Sequence, residues 1–149
     1  MDAVTPKSQK TADQHSHVVR PANMEWQKTR FPGCEAKTLL FDPATGLVTA
    51  LMRFAPGAVL PEHEHVKIEQ TYVLEGKLVD KEGPDAGLTV TQGEFVWRPA
   101  GSRHVAWCPE GGLMLAMFQV PNKFFEADGR VTDSTGKDWQ SVWGHALAG

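Results

Sequence analysis

Three histidines and one glutamate stand at spacings that could bind a metal ion. His63 and His65 are one residue apart, Glu69 follows four residues later, and His104 lies in a separate stretch. Because residues two apart in a strand point to the same face, the first two histidines can direct both imidazoles at one point. A bend after His65 would bring the Glu69 carboxylate to that point, and a second hairpin would supply His104. Three imidazoles and one carboxylate suit a divalent metal with coordination positions left open.

The first of these stretches, residues 57–76, has a recognisable frame. Gly57 opens it and Gly76 closes it, with the histidine pair and Glu69 between them. At every fixed position it resembles the first motif of the cupin superfamily, which reads glycine, five residues, His-x-His, three or four residues, Glu, six residues, glycine. A lone His-x-His pair would carry little weight, whereas agreement along the whole motif is specific.

The second stretch, residues 93–108, resembles the second cupin motif. Its fixed positions are occupied by Gly93, Pro99, Gly101 and His104. Cys108 stands where asparagine is usual, and this one departure leaves the candidate ligands untouched. The resemblance spans roughly residues 37–120 and implies an all-β fold, a double-stranded β-helix or jelly-roll barrel with the metal inside.

The organisation of the chain agrees with that fold. Short apolar runs separated by glycine and proline turns are typical of a sandwich or barrel. With 149 residues the chain is expected to hold one domain. We expect a flexible N-terminal tail over residues 1–17 and a single cupin domain over residues 18–149. Trp139 and Trp143, four residues apart, predict a short C-terminal helix with one apolar face.

Composition excludes several classes of partner. The net charge of −3, without a basic stripe, argues against nucleic acid or an anionic membrane as partner. No apolar run is long enough to span a membrane, and no signal peptide is visible at the N-terminus. We therefore expect a cytoplasmic protein, in which Cys34 and Cys108 are free thiols.

Residue parity suggests a wall for the metal cavity. Thr71 shares the face of Glu69, and Cys108 shares the face of His104. Cys108 would be either a buried apolar thiol or a group that tunes the metal. Arg53 would either face solvent or, pointing inward, pair with an anionic substrate oxygen, and parity alone leaves both open. Thr71, Cys108 and Arg53 are thus the candidate pocket residues.

Within the superfamily, the chain resembles small cupins of the acetylacetone-dioxygenase type and the zinc-binding, ChrR-like cupin domains of anti-sigma factors. The diketone-cleaving enzymes bind Fe(II) through three histidines, which match His63, His65 and His104, but lack the glutamate that this chain keeps as Glu69. The resemblance implies an Fe(II) dioxygenase that cleaves a C–C bond in a small diketone or hydroxyketone. The ligand set also suits Mn, Ni, Co or Zn, and spacing does not choose among them.

Two alternatives remain open. One is a redox-neutral metal-dependent isomerase or lyase, although Thr71 stands where cupin lyases acting on dimethylsulfoniopropionate place a tyrosine base. The other is a non-enzymatic zinc sensor, although the anti-sigma proteins carry a further N-terminal helical domain where this chain has a short polar tail. The expected partners are a small-molecule substrate and dioxygen. We also expect a homodimer or homotetramer, because the open edges of a sandwich are usually paired or covered.

Overall fold

Short strands separated by glycine-rich and proline-rich turns build the molecule. The computed structural model describes residues 14–147, and within them eleven strands and one α-helix. The strands are β1 (Gln27–Lys28), β2 (Cys34–Asp42), β3 (Leu47–Phe54), β4 (Ala58–Glu64), β5 (Glu69–Glu82), β6 (Thr89–Thr91), β7 (Phe95–Arg98), β8 (Arg103–Cys108), β9 (Gly112–Phe118), β10 (Lys123–Phe125) and β11 (Val131–Thr132), followed by the helix α1 (Trp139–Trp143). The predicted all-β fold with a short C-terminal helix is confirmed.

The strands pair antiparallel in two facing halves. One half has the order β1-β2-β3-β9-β5, with β7 also paired to β5. The other half has the order β5-β8-β4-β10-β11, with β6 also paired to β5. Because sequential neighbours such as β3 and β4 lie in different halves, the chain alternates between the two sheets, as in a jelly roll.

Strand β5 belongs to both halves, and it changes sheet at Gly76. Up to Gly76 it pairs with β9, and from Lys77 onward it pairs with β6 and β8. Gly76 has φ +73°, and a Cβ atom there would overlap the carbonyl oxygen of Gly111. Only glycine allows both this conformation and this close approach. The motif glycine therefore marks the point where the long strand bends from one sheet to the other.

Side chains that point between the two halves form the core. Val73, Ala106, Cys108 and Met114 are buried in one apolar cluster. On β5 the buried positions are odd-numbered up to Val73 and even-numbered from Leu78 onward. The pairing register shifts by one residue between Val73 and Glu75, which inverts the alternation beyond it. This inversion decides which later residue of β5 faces the candidate site.

A second apolar cluster attaches the C-terminal segment to the barrel. Trp139 and Trp143 pack with Val120, and the carboxylate of Asp138 caps the start of α1 by accepting from the Ser141 amide. None of the helices in residues 14–147 is long and apolar enough to cross a membrane. Most of the tail predicted over residues 1–17 lies outside the described residues, so its flexibility stays a prediction.

Candidate metal centre

The three motif histidines come together between the two sheets. His63 lies on β4 opposite His104 on β8, in direct register, and His65 follows the end of β4. All three are buried, with 5% exposure or less. One nitrogen from each lies within 4.8 Å of the others, and the Nε2 atoms of His65 and His104 are 3.0 Å apart. The pairing of β4 with β8 thus brings His104 next to His63 and His65, although they are distant in sequence.

Each imidazole has its Nδ1 atom engaged by an oxygen acceptor. His63 Nδ1 lies 2.7 Å from the backbone oxygen of Pro61, and His65 Nδ1 lies 3.1 Å from Oδ1 of Asn122. His104 Nδ1 lies 2.9 Å from Oδ1 of Asp80. Because these oxygens accept, the Nδ1 atoms carry the protons and the Nε2 lone pairs remain for another partner. Fixing the tautomer through the outer nitrogen is the usual arrangement around metal-bound histidines.

Burial also keeps the first two imidazoles neutral. Desolvation, reinforced by the nearby His104, lowers the pKa of His63 to about 3. Desolvation, reinforced by His63 and His104, lowers the pKa of His65 to about 2. Metal coordination needs the neutral imidazole, so these two rings are in the binding form at neutral pH.

Glu69 lies beside the histidine group rather than within it. Its Oε2 atom is 3.3 Å from Nδ1 of His65, the ring nitrogen that is not turned toward His104. Thr71 donates a hydrogen bond of 3.3 Å to Oε1 of Glu69, and the amide of Asn122 bonds the same carboxylate. Among the described residues, the set that can share one ion consists of the three histidines. Ligation by Glu69 stays a prediction.

A buried ion pair supports His104 from behind. Both oxygens of the Asp80 carboxylate accept from the Arg98 guanidinium, at 2.8 and 3.0 Å. Although burial alone would raise the pKa of Asp80, the hydrogen bond from His104 and the Arg98 charge lower it. Among residues 14–147, Arg98 Nε has no hydrogen-bond partner, and it lies 3.9 Å from Oε1 of Glu69. Burial raises the pKa of Glu69 to about 7, and the Arg98 charge opposes that rise.

Sequence reasoning did not identify Asp80, Arg98 or Asn122 as parts of the site. Parity counted from Glu69 places Asp80 on the outer face, because the count ignores the register shift before Gly76. The usable signal was a charged residue of each sign inside apolar strands, in LVDK and in FVWR. Burying either charge alone is costly, so the two were candidates for a buried pair.

The sequence suggested three pocket residues, Arg53, Thr71 and Cys108, and the structure gives each of them a different environment. Arg53 is on the outer face, where Glu35 accepts its hydrogen bond at 2.7 Å and its guanidinium sits 4.2 Å above the Trp26 ring. Arg53 is therefore not a pocket residue, since the even-numbered positions of β3 face inward. Thr71 is buried against Glu69, and Cys108 is a fully buried core thiol whose pKa burial raises to about 12. Neither of these two residues lines the cavity described next.

A cavity of about 460 Å³ lies between the sheets next to the histidines. Asn122 and Phe124 belong both to its wall and to the surroundings of the histidines, since the Phe124 ring centroid is 5.3 Å from that of His63. The apolar wall is formed chiefly by Phe31, Ala36, Ala50, Met52, Leu60 and Phe118. The segment 133–135 contributes a polar rim. The cavity and the histidine group thus share the wall formed by Asn122 and Phe124.

Comparison with known proteins identifies the family and the fold of the chain. A family model described as a ChrR cupin-like domain matches residues 14–123. A search of curated proteins finds no match to the chain. Among solved structures, an acetylacetone dioxygenase from Acinetobacter johnsonii is 21% identical with a TM-score of 0.69, the match covering 92% of this chain and 93% of that one.

Two further solved structures share this fold. A candidate acetylacetone dioxygenase from Methylibium petroleiphilum PM1 is 23% identical with a TM-score of 0.70, over 89% of this chain and 96% of that one. A protein of unknown function with a cupin-like fold from Ralstonia eutropha JMP134 is 30% identical with a TM-score of 0.60, over 68% of this chain and 64% of that one. At these identities the likeness to the dioxygenases establishes the shared fold.

Proposed function

The chain belongs to the family of ChrR cupin-like domains, and we propose that it is a metal-dependent dioxygenase using Fe(II) to cleave a C–C bond in a diketone or hydroxyketone. One observation carries the proposal: three buried imidazoles converge with their outer nitrogens held by acceptors. The solved acetylacetone dioxygenases of the same fold suggest the reaction class.

The residues present fit a divalent metal. His63, His65 and His104 can each offer an Nε2 lone pair, because Nδ1 is the nitrogen held by an acceptor. The lowered pKa values of His63 and His65 keep those two rings in the metal-binding form. The Nε2 atoms of His65 and His104 lie 3.0 Å apart, close enough for both to bind one ion. When bound, it would act as a Lewis acid and template for the substrate oxygens.

The surrounding residues would orient the ligands and exclude water. Asp80, Asn122 and the Pro61 carbonyl hold the three rings in place. Glu69 contacts the outer nitrogen of His65, so we propose that it orients this ring, with direct ligation as the alternative. The apolar wall of Phe31, Leu60 and other side chains keeps a reactive substrate away from bulk water.

One observation favours the redox-neutral alternative. Glu69 is buried beside the histidines with its pKa raised to about 7 by desolvation. A carboxyl group with a pKa near neutrality is suited to moving a proton in either direction. A metal-dependent isomerase that shifts a proton next to a carbonyl would use these same residues without consuming dioxygen.

Oxygen consumption separates these functions. The chain, loaded anaerobically with Fe(II), would be mixed with β-diketones and aromatic hydroxyketones in an oxygen electrode. We expect uptake that needs both iron and substrate, and that is lost in His104→Ala. Proton exchange into the substrate without uptake would instead support the isomerase. Zinc binding with neither response would support a sensor.

We further propose that the chain forms a homodimer through the outer face of the β9-β5-β7 sheet. Five side chains there are exposed by 37–57% although they are large and apolar, namely Tyr72, Phe95, Trp97, Leu115 and Met117. The strand register places them in two adjacent rows. Together they expose roughly 400–500 Å², about half of the area that each partner contributes to a stable interface.

A further inference from the structure

We infer that the cavity beside the histidines binds the neutral, apolar body of a substrate larger than acetylacetone, such as an aryl-substituted diketone. The inference rests on the proposed function for the reacting end of the molecule, and concerns which substrates the chain accepts. It is carried by the size of the cavity, the chemistry of its wall and its position next to the histidines.

The size of the cavity exceeds the needs of a small diketone. Its volume is about 460 Å³, whereas a dry cavity of about 150 Å³ is enough for one benzene molecule. Acetylacetone is close to benzene in size and would leave roughly two thirds of the space unfilled. A small ligand would leave most of this apolar wall in contact with water, so a larger substrate gains affinity by covering it.

The wall offers no partner for a charged substrate. None of the residues that line the cavity within the described part of the chain is lysine, arginine or histidine. The one carboxylate among these described lining residues belongs to Asp133, and its two oxygens already accept from Thr135, the backbone amide of Lys137 and the Trp143 indole. A carboxylate or phosphate on the buried body would therefore be desolvated without compensation.

Two further polar side chains of the wall already bond to other parts of the protein. Thr29 Oγ1 donates to the backbone oxygen of Cys34 at 2.7 Å. Both ends of the Asn122 side-chain amide are hydrogen-bonded, since its Oδ1 accepts from His65 and its NH2 group bonds to Glu69. A sugar-like substrate with many hydroxyl groups would thus find few free partners along these positions.

The position of the cavity connects an apolar body to the reacting end. Asn122 and Phe124 line the cavity and at the same time contact His65 and His63. A ligand whose ring lies between Met52, Leu60 and Phe118 would therefore have its neighbouring dicarbonyl group beside Asn122 and Phe124, the two residues that stand between the cavity and the histidines. This arrangement favours a ring attached directly to the diketone.

Calorimetric binding tests the inference without relying on turnover. Acetylacetone, benzoylacetone and a para-carboxybenzoylacetone would be titrated into metal-free and zinc-loaded protein. We expect benzoylacetone to bind roughly 10–100-fold tighter than acetylacetone, because its ring buries additional apolar surface. The carboxylated analogue should lose at least about tenfold relative to benzoylacetone. Equal or weaker binding of benzoylacetone would overturn the inference.

Variants locate the ring. Ala50 lines the cavity on β3, and the neighbouring Leu51 does not. Ala50→Leu should shrink the preference for benzoylacetone over acetylacetone by about tenfold or more, whereas Leu51→Phe should preserve it. An unchanged preference in Ala50→Leu would place the ring elsewhere and contradict the inference. If Ala50→Leu does not fold, Met52→Ala provides the test, since a larger cavity should shift the preference further toward dibenzoylmethane.

Failure of the cavity inference can be distinguished from failure of the proposed dioxygenase function. Preferential binding of the aryl diketone without oxygen uptake after iron loading would support the cavity inference and contradict the dioxygenase. Oxygen uptake with acetylacetone, together with rejection of every aryl diketone, would do the reverse.

Discussion

At the scale of single residues, the site is defined by which nitrogen of each histidine is occupied. The three Nδ1 atoms face Pro61, Asn122 and Asp80, so the rings cannot rotate without losing a buried hydrogen bond. Of these acceptors, Asp80 is the only ionised one, and it is shared between His104 and Arg98. A charged acceptor both fixes the ring and makes its free nitrogen a stronger donor to a metal.

Asp80→Asn should therefore weaken metal binding by about 10–100-fold, because the amide holds His104 less firmly and carries no charge. Zinc affinity, measured by competition with a chelating dye, gives the value directly. Asp85→Asn, at an exposed turn position, is the control and should leave the affinity unchanged. Unchanged affinity in a folded Asp80→Asn variant would show that the carboxylate does not act on the metal ligand.

The position of Glu69 leads to a second residue-level prediction. If it orients His65 from outside the ligand set, Glu69→Gln keeps a hydrogen-bond acceptor there, and zinc affinity should fall by no more than about tenfold. His104→Ala removes a donor and should fall much further. Comparable losses in the two variants would indicate that the carboxylate is itself a ligand, as the spacing of the first motif predicts.

At the scale of elements, the bend in β5 is the feature that assembles the site. Glu69 and Asp80 lie on one strand, and both reach the histidines because the strand changes sheet between them. The bend depends on the backbone of Gly76 approaching Gly111 and Gly112, whose Cα would lie 2.8 Å from an added Cβ.

Gly76→Ala should accordingly cost about 3 kcal/mol or more, since the backbone of the β8–β9 turn cannot move aside. Gly93→Ala is a matched control, because Gly93 also has positive φ but no atom within 4 Å of an added Cβ. We expect it to cost only about 1–2 kcal/mol from backbone strain. Equal losses in denaturant unfolding would show that close approach is unimportant at Gly76.

Many of the secondary-structure elements can be predicted from the sequence. Short apolar runs between glycine and proline turns predict the all-β fold, and Trp139 and Trp143, four residues apart, predict the helix α1. The pairing of β4 with β8 follows from the two motifs. The role of Asp80 does not, because a register shift within β5 reverses the parity beyond it. The closing wall of the cavity also depends on residues 133–135, which reach it through contacts that are distant in sequence.

Those distant contacts are made by single side chains. Arg30 donates to Glu126, Thr132 and the Asp133 carbonyl, and its guanidinium lies 4.6 Å above the Phe31 ring. Nothing in the local pattern around Arg30 distinguishes it from an ordinary exposed arginine of a turn. Local periodicity predicts which face of a strand is buried, whereas partners a hundred residues apart are fixed by the tertiary fold.

At the scale of the whole molecule, an apolar outer face is the main surface feature. Trp97 is 57% exposed and Phe95 is 52% exposed, on a strand at the edge of its sheet. Exposed apolar patches of several hundred Å² generally mark an interaction site. The proposed homodimer would cover this face and protect the β7 edge from unspecific pairing.

Trp97→Glu should shift the molecule toward monomers, because a charge would be buried at the centre of the interface. Sedimentation velocity over a range of concentrations measures the effect. Leu88→Glu is the control, since Leu88 is also exposed but lies in the β5–β6 connection, away from this face. A wild-type chain that sediments as a monomer at every concentration would rule the dimer out.

In the proposed function, His63, His65 and His104 would hold Fe(II), and both atoms of dioxygen would enter the products of diketone cleavage. The most direct measurement is mass spectrometry of the products formed from benzoylacetone under isotopically labelled dioxygen by the Fe(II)-loaded chain. Cleavage between the central carbon and one carbonyl carbon yields an acid and a ketoaldehyde, and the added dioxygen accounts for both new oxygens without any external reductant. We expect one labelled oxygen in each fragment when exchange with water is suppressed. Intact substrate, or fragments that carry oxygen from water alone, would contradict it.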